Sequence, residues 1–186
     1  HWDHIASNVK GDYIAFCEGD DYWSDPLKLQ KQISLLKENP KYSFCFHSAT
    51  QISNLHESKI IGKYDSKDAY ISFSKILMRV YGMIPTASCI ITKERALKVH
   101  EFISQNKFLK QADIYLQYIA AYDIGALYIN EPMSVYRYMT DGSWTQRHNS
   151  SEIFRIGILM DKLKSYSALE LFFSHMHQER FTYLYL

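Results

Sequence analysis

The sequence predicts an α/β fold. Three observations carry that expectation: apolar runs without polar alternation, such as YIAFC at 13–17; segments of helical periodicity between those runs; and the absence of internal repeats or low-complexity linkers in a chain of 186 residues. An unbroken apolar run fits a strand covered on both faces, as in a parallel α/β sheet, better than a half-exposed strand. The length is that of one domain, enough to bury a core.

The elements follow in order. The KGD turn at 10–12 leads into the YIAFC strand. Next comes SDPLKLQKQISLLKENP, where Ser24 is the expected N-cap, Asp25 and Pro26 favour a first turn, and Leu29, Ile33 and Leu36 repeat at helical spacing until Pro40. YSFCFHSAT (42–50) reads as a second strand, 51–70 as a loop or short hairpin, and 71–80 as a helix. A strand around Ala87 to Ile91 passes into a helix from about Lys93. Residues 111–123 form another helix, with Ile114, Tyr118 and Ala121 on one face. Two short strands follow, broken at Asn130 to Pro132, and from Ile153 onward the chain is amphipathic and helical. The expected organisation is one α/β unit over 1–150 and a helical appendage over 151–186.

A net charge of +1 leaves no clustered basic surplus, so no nucleic-acid partner is expected. Aromatic content is high, with fifteen tyrosines, which suits sugars and flat ligands as well as plain cores. Cys17, Cys45 and Cys89 each sit in an apolar run, without a CxxC pair, and read as small core residues in a reducing compartment. No apolar run approaches the ~20 residues of a membrane span. No signal-peptide pattern is read in the given residues, and the start at HWDH reads as an excerpt of a longer chain.

The chemistry concentrates in CEGDDYWSDP. Asp12, Glu18, Asp20, Asp21 and Asp25 are acidic, and no basic residue lies between Lys10 and Lys28. This charge sits between the end of a strand and the start of a helix, where ligands bind in open α/β sheets. Either it is an acidic surface turn that caps the helix, or a cation belongs there. Mg²⁺ or Mn²⁺ takes one or two carboxylates plus waters and substrate phosphates. A calcium loop fails on spacing, because Tyr22 and Trp23 follow the acids.

NVKGDYIAFCEGDDYWSDPLKLQKQISLLKENP, residues 8–40, resembles the segment around the DXD-type motif of family 2 glycosyltransferases, the inverting GT-A enzymes. QADIYLQYIAAYDIGALYINEPMSVYRYMTDGSW, 111–144, resembles the same family's region where an acid opens a helix and two strands end in Tyr-Arg. The resemblance implies a GT-A-like, Rossmann-like mixed sheet flanked by helices. Most N-terminal nucleoside-binding strands would lie outside this chain, so the 186 residues alone are expected to be weakly active or inactive.

By that resemblance Asp20 holds a divalent metal, Mn²⁺ or Mg²⁺, on the diphosphate of a nucleotide-sugar donor, with Asp21 beside it. Glu18 stands near the donor sugar or ribose, where the family more often has Asp. Asp113 is the catalytic base; its other reading is an ordinary acid meeting a helix dipole. Arg137 either pairs with the leaving diphosphate or forms a structural salt bridge. Met139 stands where relatives often carry a His that meets phosphate; that role is either missing here or falls to His148. Thr86, Ser88 and Trp144 fall on the acceptor side, although Thr86 and Ser88 also read as plain strand residues and Trp144 as a loop pin. His47 reads as structural. The implied reaction is inverting transfer of a sugar to a saccharide or lipid-linked acceptor in surface polysaccharide or glycan assembly, in the cytoplasm or peripherally at the inner face of the membrane. A non-catalytic carbohydrate-binding domain and a glycoside hydrolase are the competing readings.

Overall fold

The computed structural model describes residues 8–53, 58–109, 112–139 and 152–184. Its strands are β1 (Tyr13–Ala15), β2 (Tyr22–Trp23), β3 (Phe44–His47), β4 (Ala49–Ser53), β5 (Ser58–Ile61), β6 (Ala69–Ile71), β7 (Ile90–Thr92), β8 (Ala126–Ile129) and β9 (Ser134–Tyr138). Its helices are α1 (Lys28–Glu38), α2 (Phe73–Leu77), α3 (Lys93–Gln105), α4 (Ala112–Ala121) and α5 (Glu152–Leu184), with a 3-10 turn at Thr86–Ser88.

Two mixed sheets result. The first has the order β1-β7-β3-β8-β6 and the second β2-β9-β4-β5. Only β3 with β8 and β4 with β9 run parallel; the other pairings are antiparallel. The architecture is mixed α/β, helices flanking the sheets, consistent with a Rossmann-like fold.

The strands of the first sheet supply Phe44, Phe46, Ile91 and Tyr128 to one core, which α4 covers with a face buried from Ile114 to Ala121. This helix is apolar nearly all round, as a helix enclosed by neighbours must be. The C-terminal helix joins the same core: Leu169 and Phe172 are buried in it, and Phe173 stacks on Tyr122 with centroids 4.1 Å apart. Among the described residues no helix is long and apolar enough to cross a membrane.

Several elements differ from expectation. The first strand ends at Ala15, is only partly buried, and lies at a sheet edge antiparallel to β7, not inside a parallel sheet. Cys17 is therefore exposed, whereas Cys45 and Cys89 are buried. The single strand expected over 42–50 divides at Ser48, passing from the first sheet into the second. Over 71–80 only Phe73–Leu77 is α-helical, because Arg79 turns the backbone to φ 50. Residues 86–88 form a 3-10 turn before β7 instead of a strand.

The cap of α1 also moves. Leu27 occupies the N-cap position, and Asp25, not Ser24, serves the chain there: its Oδ1 accepts the Leu27 N–H at 2.8 Å while Oδ2 pairs with Lys31 at 2.9 Å. The helix buries Lys28, Gln32 and Leu36; of the expected stripe Leu36 is buried, Ile33 is half-buried and Leu29 stays exposed. Gln32 is tolerated inside because its Nε2 donates to the Ser88 carbonyl at 2.9 Å.

Candidate functional site

The acidic turn is built by the pairing of β2 with β9. Tyr22 lies opposite Val135 and Trp23 opposite Ser134, so the carboxylates just before β2 arrive beside Arg137 on β9. The Arg137 backbone N–H donates to Asp21 Oδ1 at 3.0 Å, and its Nε donates to the Asp20 carbonyl. The turn closes on itself where the Asp21 N–H donates to the Glu18 carbonyl at 3.0 Å. The Trp23 indole N–H reaches back to the Phe16 carbonyl at 3.2 Å, bracing both ends of the loop. The Tyr-Trp pair after the acids thus has a clear local purpose: pairing by β2 and a side-chain strut.

The acids divide in their environments. Asp21 is buried; loss of water pushes its carboxyl up to about 6, against the Arg137 N–H that favours the charged form. Its second oxygen, Oδ2, is buried without a hydrogen-bond partner among the described residues. A buried carboxylate oxygen without a donor is costly unless protonated or met by a cation, so this turn fits a hard divalent ion. No group of three or more His, Cys, Asp and Glu side chains among the described residues forms a metal cage. Any such ion would draw its remaining ligands from water and substrate.

Glu18 is exposed to solvent, yet enough protein surrounds its carboxyl to desolvate it in part. Desolvation, then the fields of Asp113, Asp21 and Asp20, push it up to about 7, while a hydrogen bond from Thr86 acts the other way. Two carboxylates far apart in sequence, Glu18 and Asp113, therefore share one electrostatic neighbourhood. Asp113 stands in the first turn of α4. Desolvation raises its pKa, opposed by the backbone N–H groups of Asp113 and Ile114 and by the charges of Arg79 and Lys162. The fold brings two remote cations, Arg79 and Lys162, into the field of Asp113.

Glu18 also gives a pH signature. Its carboxyl ordinarily ionises near 4.5 and in the folded chain near 7, so between those values the folded state holds more protons than the unfolded one. Stability contributed through this group then falls as pH rises across that window. Glu18→Gln should melt at the same temperature as the parent near the lower end of the window and above it at pH values beyond the upper end. Parallel melting curves at all pH values would refute the assigned environment.

The remaining candidates fall apart from one another. Thr86 faces the turn through its bond to Glu18. Ser88 is buried, and its hydroxyl donates to the Pro85 carbonyl at 2.6 Å, so it is committed to the 3-10 turn and not presented to an acceptor. Arg137 is exposed and forms no salt bridge among the described residues. His47 is fully buried, with Nδ1 2.6 Å from the Ser48 carbonyl and its pKa lowered by burial to about 3, a neutral structural group. Trp144 and His148 lie outside the described residues.

One residue escaped the sequence reading. Lys28 is buried, its ammonium 4.4 Å from the centroid of the Trp23 ring and its Nζ without a hydrogen-bond partner among the described residues. Burial lowers its pKa to about 8. The available signal was position: it is the first cation after the acids.

Comparison with known proteins places this site in a context. No protein-family model matches the sequence. The chain is 30% identical over 154 residues to uncharacterized proteins of Mycobacterium bovis (strain ATCC BAA-935 / AF2122/97) and Mycobacterium tuberculosis (strain ATCC 25618 / H37Rv), covering 81% of this chain and 41% of each relative. It is 26% identical over 140 residues to an uncharacterized glycosyltransferase of Haemophilus influenzae (strain ATCC 51907 / DSM 11121 / KW20 / Rd), covering 74% of this chain and 46% of that protein. The chain thus spans less than half the length of the curated relatives it matches, and its similarity to a protein described as a glycosyltransferase is distant.

Proposed function

We propose that this chain carries the metal, base and acceptor portions of an inverting glycosyltransferase of the family 2, GT-A type that uses a nucleotide-diphosphate sugar. The observation that carries the reading is the convergence of Glu18, Asp20 and Asp21 with Arg137 and with Asp113, contributed by the turn before β2, by β9 and by α4. The distant similarity to a glycosyltransferase supports the same class.

In this mechanism Asp113 accepts the proton of an acceptor hydroxyl as its oxygen attacks the anomeric carbon. The bond from that carbon to the donor phosphate breaks on the opposite face, inverting the centre, and its electron pair leaves with the nucleoside diphosphate. Partial desolvation keeps Asp113 more basic than an ordinary aspartate, which suits a general base. The peptide N–H of Arg137 fixes Asp21, and the exposed Arg137 side chain stands beside the turn to meet phosphate charge. Mn²⁺ or Mg²⁺ held by Asp20 and Asp21 would supply positive charge against the departing diphosphate. Glu18, fixed by Thr86, faces the donor sugar or ribose. The acceptor is a saccharide or lipid-linked glycan, and the setting is the cytoplasm or the inner membrane surface.

The test uses the full-length protein. UDP or GDP with Mn²⁺ should raise its melting temperature, and Asp20→Ala should abolish that rise. A panel of nucleotide sugars should give metal-dependent nucleotide release with at least one donor. Nucleotide-independent cleavage of a glycoside would establish a hydrolase instead. Sugar binding without any nucleotide effect would establish a binding domain.

A further inference from the structure

Next to Asp113 lies a concavity of about 430 Å³ with an unusual lining. It contains two cations, Arg79 and Lys162, and no carboxylate, together with Tyr115, Tyr118 and Tyr166. Ile114, the residue after Asp113, forms part of its wall. Neither Arg79 nor Lys162 makes an ion pair among the described residues. Asp161, the acid adjacent to Lys162 along α5, does not line the space.

Arg79 is held by its backbone. Its φ of 50 is rare for a residue with a side chain, and the conformation is fixed by the Arg79 N–H donating to the Ile76 carbonyl at 3.1 Å and the Gly82 N–H donating to the Arg79 carbonyl at 2.9 Å. Such strain persists where the surroundings impose it, and it concentrates at functional sites. Lys162 comes from α5, one turn before Ser165, whose hydroxyl donates to the Lys162 carbonyl at 2.7 Å. Burial first, and then repulsion from Arg79, lower the ammonium's pKa, so the two cations feel one another.

Asp113 does not account for this pair. Its carboxylate also draws on two backbone N–H groups at the start of α4, and one carboxylate against two cations leaves a positive charge over. A guanidinium beside an ammonium matches the oxygens of a phosphate monoester or a carboxylate. Tyrosine rings suit the body of a sugar.

We propose that this pocket binds an anionic substituent, phosphate or carboxylate, of the acceptor sugar, with Arg79 and Lys162 as its ligands. The anion site stands on the pocket itself; the word acceptor rests on the transferase reading above. With the anion anchored there, a neighbouring hydroxyl of the same sugar is set beside Asp113. Specificity for an anionic acceptor then follows from charge: a neutral sugar leaves the pocket's excess positive charge uncompensated.

The test is equilibrium binding to the full-length protein, followed by NMR, with three soluble probes: methyl glucoside, methyl glucoside 6-phosphate and methyl glucuronide. At least one charged probe should bind about tenfold or more tightly than the neutral one, and the preference should shrink as salt is raised. Arg79→Gln and Lys162→Met should each remove most of that preference, while Arg79→Lys retains part of it. Melting temperature reports folding of every variant; should a neutral substitution unfold the chain, Arg79→Lys and the salt series still decide. Tighter phosphate binding identifies a phosphorylated acceptor, and tighter glucuronide binding a uronate. Equal binding of charged and neutral probes, a preference indifferent to the variants, or displacement of the charged probe by UDP with Mn²⁺ overturns the proposal. No donor is needed, so a positive result alongside absent nucleotide binding would sink the transferase reading and leave the anion pocket standing.

Discussion

Asp113→Asn in the full-length protein is expected to lower kcat for sugar transfer about 10²- to 10⁴-fold, the range spanned by loss of a general base. Asparagine keeps an oxygen that accepts the N–H groups of residue 113 and Ile114, so the start of α4 should survive. It cannot take a proton. Stabilisation by nucleotide with Mn²⁺ should remain at the parental level, because the donor side is built from Asp20, Asp21 and Arg137. The pH profile adds a second readout. Burial places the Asp113 carboxyl above its ordinary 3.8, so the parental rate should rise with pH along an acidic limb displaced upward from that value, and the limb should vanish in the variant. Transfer that persists at the parental rate would remove Asp113 from the mechanism. A loss of nucleotide binding would assign it to the donor side.

Much of the scaffold around Asp113 was legible because apolar pattern carries it. The run from Ile114 to Ala121 is apolar almost throughout, and it is buried almost throughout. ALYI and SVYRY, broken by Asn130 to Pro132, became β8 and β9 because the interruption is chemical as well as geometric. The misses have a common origin in tertiary contacts. Ser48 separates two sheets without any turn signal, since the chain needs only to change partners there. Gln32 and Lys28 are buried on α1 where a periodicity reading wants Leu29, because Gln32 finds carbonyls and Lys28 finds an aromatic face.

The site was legible by the same division. The carboxylates announce themselves as an uncompensated run, yet their partners come from remote segments. Arg137 reaches Asp21 only through the β2–β9 pairing, and Arg79 and Lys162 reach Asp113 only through helix packing. Thr86 and Ser88 look equivalent in sequence. The 3-10 turn separates them, sending one hydroxyl to Glu18 and burying the other on Pro85.

Lys28→Met is expected to stabilise the fold by about 2 kcal/mol at pH 7, an effect arising from a charge the sequence pattern hid. The ammonium ionises near 8 in the folded chain against an ordinary 10.5, because burial disfavours its charged form. That gap corresponds to roughly 3 kcal/mol, and the contact with the Trp23 ring returns about 1. Methionine fills a similar volume without the charge. The sign fixes the pH dependence. Below about 8 the lysine is charged in both states and the folded chain carries the full penalty. Between 8 and 10.5 the folded chain releases the proton first, so parental stability rises with pH relative to the variant. Above 10.5 the lysine is neutral in both states and the difference closes. Denaturant unfolding of both proteins across this range measures it, and a variant less stable than the parent at pH 7 would mean that the Lys28–Trp23 contact outweighs desolvation. The site should register the change too. Trp23 braces the acidic turn through the Phe16 carbonyl, so a displaced indole would weaken nucleotide-dependent stabilisation, whereas an undisturbed one leaves it unchanged. Stability gained with that stabilisation intact would show Lys28 to be a cost borne beneath the turn and not a ligand within it.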